Sequence, residues 1–132
     1  MQLGDRASVL VDGNNVIGAV PDGWWRDQPE AARRLLARLR CYAAATGDPV
    51  ELVLDVPQLD LPAGDHGGVI VHYATRRGRD AADDRIVELV DARATAVDVV
   101  TSDRALAASV RALGARVIGA RTFLKQLADA GC

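Results

Sequence analysis

Four aspartates occupy positions where a charged side chain is costly unless something offsets it. Asp12 closes the apolar run Ser8-Val9-Leu10-Val11, and Asp55 follows Leu52-Val53-Leu54. Asp83 lies within Ala82-Asp83-Asp84-Arg85-Ile86, and Asp103 follows Val100-Thr101-Ser102. An ionised group at the end of an apolar strand needs a partner. Carboxylates drawn together need protons or cations, since two of them about 5 Å apart repel by roughly 3 kcal/mol at an effective dielectric near 20. Oxygen-only ligation by aspartates selects hard ions, Mg²⁺ or Mn²⁺, over zinc. Such an ion polarises a phosphate oxygen and activates water for in-line attack, which makes phosphodiester hydrolysis the natural reaction.

Each position has a plainer alternative. Asp83 could complement a helix dipole behind Asp80 as N-cap, and Asp103 could sit in a first helical turn behind a capping Ser102. Asp55, just before Val56-Pro57, could be a turn residue. Asp80 and Asp84 are reserve candidates for the acidic set.

The elements that must position these residues follow from patterning. Short apolar runs alternate with amphipathic segments, the pattern of a mostly parallel sheet covered by helices. The first strand spans 8–12, and a loop containing Gly, Pro and Trp24-Trp25 follows it. Asp27 and Glu30 resemble a capping box, with Pro29 tolerated in the first turn. Ala32, Leu35, Leu36, Leu39, Tyr42 and Ala43 then repeat at helical spacing until Gly47. A strand over 50–56 ends at Pro57, a glycine-containing loop leads to a strand over 69–73, and a helix runs over 81–94. A strand over 97–100, a helix using Leu106, Val110 and Leu113, a strand over 115–118 and a helix burying Phe123, Leu124 and Leu127 complete the order. Right-handed crossovers give a three-layer α/β/α, Rossmann-like fold. In open parallel sheets the ligand site lies outside the carboxyl ends of the strands, where Asp12, Asp55, Asp83 and Asp103 converge.

At 132 residues, 49% hydrophobic and 26% charged, the chain suits one domain over 1–132 with one sheet-centred core. It carries no apolar run of membrane-spanning length and no signal-peptide pattern at Met1-Gln2-Leu3-Gly4-Asp5-Arg6, so a cytoplasmic location is expected. In a reducing compartment Cys41 and Cys132 are expected to be unpaired, Cys41 as a core or boundary helical residue and Cys132 as a frayed terminus. The net charge of −2 does not advertise a nucleic-acid binder. However, one bound divalent ion takes the balance to zero, and the positive charge is almost all arginine, with Lys125 the only lysine.

With these segments in place, the sequence resembles the YacP-like branch of the NYN domains, relatives of the PIN-type nucleases. The resemblance rests on Asp12-Gly13-Asn14-Asn15, Leu54-Asp55, Ala82-Asp83-Asp84-Arg85-Ile86 and Val100-Thr101-Ser102-Asp103, in that order over roughly the whole chain. It implies a PIN-like α/β/α fold and metal-dependent cleavage of RNA, usually as an endonuclease. It further implies Asp12, Asp83 and Asp103 as metal ligands, with Asp55 a further acidic contributor. Asn15 matches the asparagine of the family's first motif and would bond a carboxylate or a water there, or close the turn. Thr101 and Ser102 match the approach to the last aspartate, where Ser102 serves as a helix cap or contacts substrate. The chain stops soon after Phe123-Leu124, where relatives of this kind carry a longer, charged C-terminal extension that would dock RNA.

Arg76, Arg77 and Arg79 precede the Asp83 helix and could grip a phosphate backbone, with Gly78 making the segment mobile. Trp24 and Trp25 could stack bases or cover the edge of a core poor in aromatics. His66 and His72 lack metal-ligand spacing, and His72 reads as structural. The leading expectation is a Mg²⁺- or Mn²⁺-dependent endonuclease of single-stranded RNA. A second keeps the fold and pocket as a non-catalytic RNA-binding or ribosome-associated module. A haloacid-dehalogenase-like phosphatase would want an aspartate at position 14, where this chain has Asn14. Neither the glycine-rich dinucleotide fingerprint nor the P-loop pattern occurs.

Overall fold

In the computed structural model, which describes residues 7–132, a six-stranded sheet runs in the order β3-β4-β2-β1-β5-β6. The strands are β1 (Ser8–Asp12), β2 (Val50–Leu54), β3 (Gly64–His66), β4 (Val69–Tyr73), β5 (Val97–Val100) and β6 (Arg116–Ile118). All neighbours pair in parallel except β3, which runs antiparallel to β4. The helices are α1 (Gly13–Gly18), α2 (Gln28–Thr46), α3 (Ala81–Asp91), α4 (Arg104–Ala112) and α5 (Ala120–Asp129). The signal-peptide expectation concerns residues outside those described.

The sheet sorts its side chains by the two-residue period of a strand. Val9 and Val11 join Leu52, Leu54, Val69 and Val71 against α1, α2 and α5, where Val16, Leu36, Leu39, Phe123 and Leu127 are buried. Leu10, Val53, Val97 and Val99 face the other way, onto Ile86 and Leu89 of α3 and Leu106 and Val110 of α4. Helices therefore cover both faces, giving the three-layer α/β/α architecture expected. No helix among the described residues is long and apolar enough to cross a membrane.

The α2 boundaries follow the chemistry of its ends. Asp27 accepts from the Glu30 amide at 3.1 Å, and Gly47 closes the helix in the left-handed region at φ 73°. Elsewhere local rules were overridden. The segment after β1 is a helix rather than a loop, because Val16 and Ile17 bury themselves against the sheet. Gly13 makes that packing possible, since a Cβ there would lie 2.7 Å from the Val53 carbonyl oxygen. The glycine-containing loop before β4 forms an antiparallel hairpin strand, its turn held by the Asp65 carboxylate accepting from the Gly68 amide at 3.0 Å. β2 stops at Leu54, two residues short of the expected end, so Asp55 is the first residue beyond it.

The cysteines correct a second expectation. Cys41 and Cys132 are joined by a disulfide, 91 residues apart in sequence, with their Cα atoms 5.7 Å apart. Cys132 does not fray: its amide donates to the Leu127 carbonyl at 2.8 Å and its carbonyl accepts from Arg38 at 3.0 Å. Cross-linking a loop this long removes roughly 4.6 kcal/mol of chain entropy from the unfolded state. The long spacing gave no local signal for it.

The second strand also hides a charge. Glu51 is only 7% exposed, yet Arg93 grips it with two bonds of 2.6 and 2.7 Å and His72 donates to it at 2.7 Å. Burial alone would raise its pKa, but the bonds from His72 and Arg93 outweigh burial and lower it to about 2. A carboxylate with a depressed pKa contributes stability that is present above its unfolded value and is lost as pH falls through the folded one. Glu51→Gln should therefore lower the unfolding free energy by about 3 kcal/mol at pH 7, with the two proteins converging as pH falls from about 4.5 towards 2. Denaturant unfolding at several pH values measures this, and equal stability at pH 7 would refute it.

Candidate active site

Strand order reverses beside β1, whose neighbours are β2 on one side and β5 on the other. A crevice at such a switch point is where open α/β sheets bind ligands. Asp12 ends β1 there, and the segment after β5 carries Thr101, Ser102 and Asp103. The Thr101 hydroxyl, itself buried, donates to Asp12 Oδ2 at 2.8 Å and accepts from the Asp103 amide at 3.1 Å. One hydroxyl thus orients one aspartate and positions the backbone of another.

The two asparagines after Gly13 complete this frame. Asn14 Oδ1 accepts from the Asp55 amide at 2.9 Å, and Asn15 Oδ1 accepts from the Ser102 amide at 2.8 Å. The Asn15 side-chain oxygen therefore reaches across to the β5 loop, while its backbone amide lies against the Asp12 carboxylate. Asn14 makes the equivalent link to the β2 loop, a role its adjacency to Asn15 could have signalled. The segment Asp12-Gly13-Asn14-Asn15 brings one acid, a close backbone contact and two side chains that tie neighbouring loops to β1.

Capping differs from the sequence expectation. Asp103 itself is the N-cap of α4, its Oδ1 accepting from the Leu106 amide at 2.9 Å. Ser102 does cap a helix, but the other one: its hydroxyl accepts from the Ala120 amide at the start of α5 at 2.9 Å. Asp80 precedes α3 without a side-chain capping bond, and Asp83 and Asp84 occupy the first turn.

Asp12 is 5% exposed, whereas Asp83 and Asp103 are half-buried and Asp55 is exposed. Burial raises the Asp12 pKa to about 6, with Asp83 and Asp55 adding repulsion; the Thr101 hydroxyl and the nearby Asn15 amide oppose this. Asp83 is likewise raised, by burial and then by the charges of Asp103, Asp80, Asp55 and Asp84. Asp55 is raised by burial. Asp83 is thus where the fields of the acidic residues meet. Arg76 pairs with Asp84 at the exposed rim of this set.

The donor set suits a hard divalent cation, being all carboxylate oxygen and carrying uncompensated repulsion. It is not preset as a ligand shell: among the described residues no three His, Cys, Asp or Glu side chains stand where they could share a metal ion. Binding one would require these carboxylates to reorient, and Asp103 would have to use the oxygen not engaged with Leu106.

Arg76, Arg77 and Arg79 line an open groove together with Asp55. Of the tryptophans, Trp24 packs against the larger apolar cluster and covers its edge, while Trp25 stays 58% exposed with the Arg26 guanidinium 5.8 Å from its ring centroid. His66 donates to the Pro62 carbonyl, and His72 is committed to Glu51.

An α/β/α sheet with acidic residues gathered at its switch point defines a PIN-like nuclease fold. The chain belongs to the YacP-like NYN domain family, a nuclease-type family whose profile it matches over residues 9–131. Its structure is similar to that of Rae1 (YacP) from Bacillus subtilis, at 30% identity and a TM-score of 0.76, covering 93% of this chain and 74% of that one. A tryptophan-to-leucine mutant of Rae1 gives a TM-score of 0.78 at 29% identity, covering 95% of this chain and 77% of that one. No curated protein matches the chain.

The raised Asp12 pKa has a testable sign. Between its ordinary value of 3.8 and about 6 the folded state holds more protons than the unfolded one, so stability falls as pH rises through this window. In chelator at pH 8, Asp12→Asn should be more stable than the parent by up to about 3 kcal/mol, and the gain should vanish below about pH 4. Thermal unfolding across this range checks it; a variant less stable at every pH would contradict it.

Proposed function

We propose that the chain is a ribonuclease that cleaves single-stranded RNA internally, using Mg²⁺ or Mn²⁺ at an acidic site built from Asp12, Asp83 and Asp103 with Asp55 beside them. The whole chain acts as one domain of this kind. The observation that carries the reading is the burial of Asp12 among like charges, with no basic side chain among the described residues bonded to it. A structural acid would be compensated within the protein, as Glu51 is by Arg93 and His72. An acid left uncompensated at a switch point is suited to a cation brought from outside.

When bound, the ion would supply Lewis-acid polarisation of a phosphate oxygen and activate the attacking water. The protein's own contribution is placement. Thr101 orients the Asp12 carboxylate, Asn14 and Asn15 hold the Asp55 and Ser102–Asp103 loops at fixed separations from β1, and the first turn of α3 presents Asp83. Arg77 and Arg79, with Arg76 near them, contact the phosphate backbone from the Asp55 side.

The second reading, an RNA-binding or ribosome-associated module without turnover, draws on the lack of a preset ligand shell among the described residues. One experiment separates the two. Purified protein with Mg²⁺ or Mn²⁺ should convert an end-labelled single-stranded RNA into shorter fragments, and Asp12→Asn or Asp83→Asn should slow this at least about 100-fold. RNA bound but left intact throughout a broad metal series would favour the binding module. Undiminished cleavage by Asp12→Asn would remove the catalytic assignment.

A further inference from the structure

The arginines among the described residues divide into two groups by what they touch. Arg33, Arg34, Arg76, Arg85, Arg93 and Arg116 pair with carboxylates. Arg38 and Arg40 donate to carbonyls, and Arg26 lies over Trp25. Among the described residues, Arg77, Arg79, Arg104, Arg111 and Arg121 are left with neither an ion pair nor a hydrogen bond, and all are exposed.

Their placement is not scattered. Arg77 and Arg79 line the groove of about 610 Å³ that reaches Asp55. Arg104 and Arg111 line a second, of about 530 Å³, with Thr101, Ser102 and Asp103. Arg121 lines a third, of about 560 Å³, with Asn14, Asn15 and Ser102. The last two grooves share Ser102 and Gly119 and so adjoin. The unpaired arginines thus flank the acidic cluster from two sides, one by the β2 loop and the other by the β5 and β6 loops. A net charge of −2 conceals this arrangement, because six of the other described arginines are paired with local acids.

We propose that Arg104, Arg111 and Arg121 form a second phosphate-contacting surface, so that one single-stranded RNA crosses the acidic cluster held by arginines on both sides. The choice of RNA rests on the function proposed above; the two-sided track rests on the arginines. Its physical logic is that unpaired guanidinium groups bind phosphate bidentately, whereas the acids between them repel a strand unless cations intervene. Two anchors hold the strand across a centre that would otherwise reject it.

The test measures binding of a labelled, unstructured single-stranded RNA to Asp12→Asn protein over a range of salt concentrations, so that cleavage does not interfere. The double variant Arg104→Gln/Arg121→Gln should weaken binding about tenfold and reduce the slope of log affinity against log salt by about 1.4, near 0.7 for each phosphate no longer neutralised. Arg77→Gln/Arg79→Gln should act alike, and Arg40→Gln, remote from the grooves, should change neither quantity. Unchanged affinity and slope in Arg104→Gln/Arg121→Gln, with an unaltered melting midpoint, would overturn the second surface. The nuclease reading fails separately: the parent protein would then cleave no RNA while both arginine pairs still governed binding. Equal losses in Arg40→Gln would show general charge rather than a track and would also overturn the proposal.

Discussion

The hydrogen bond from Thr101 to Asp12 joins the ends of β1 and β5 across the point where the sheet reverses its order. It satisfies one oxygen of a buried carboxylate, and the same hydroxyl accepts from the Asp103 amide. Asn14 and Asn15 extend the frame to the loops of β2 and β5. The rest of the acidic edge depends on these contacts, because they hold the β2 and β5 loops in register with β1 and α1 without neutralising any of the charges carried there. A neutral hydroxyl and two neutral amides do what an arginine could not do without quenching the site.

The contrast between the two buried acids makes the point physically. Glu51 is held well below its ordinary pKa, at about 2, by Arg93 and His72, and ties the end of α3 to the sheet. Asp12 is pushed up to about 6, because burial and the charges of Asp83 and Asp55 outweigh the Thr101 hydroxyl. Both acids are largely hidden from solvent, at 7% and 5% exposed. Their partners differ sharply, and this separates an acid that stabilises the fold from one whose charge the fold leaves open.

Much of this was legible in sequence because it is local. The two-residue and 3.6-residue periods mark every strand except the short β3, together with the long helices, and apolar runs ending in aspartate mark the acidic edge of the sheet. What escaped was non-local. Nothing near Cys41 announces Cys132, which reaches it only when the chain doubles back after α5. Glu51 sits in a run of Val and Leu and reads as an irregularity until Arg93 and His72 arrive from other elements. α1 was obscured because Gly13 and two asparagines favour turns by propensity, while burial of Val16 and Ile17 decides for helix. Ser102 was readable as a cap, but the helix it serves lies 18 residues further on.

If the charge left open at Asp12 and Asp83 is met by a shared divalent cation, the folded state must bind that cation more tightly than the unfolded chain does. Titrating Mg²⁺ and Mn²⁺ against thermal stability at pH 8 in the parent, Asp12→Asn and Asp83→Asn proteins reads this out. A shared ion gives a saturable rise in the parent's melting midpoint and a much smaller rise in both variants, because relief of carboxylate repulsion requires both groups. Equal shifts in all three proteins would contradict it, since the aspartates would then share no cation.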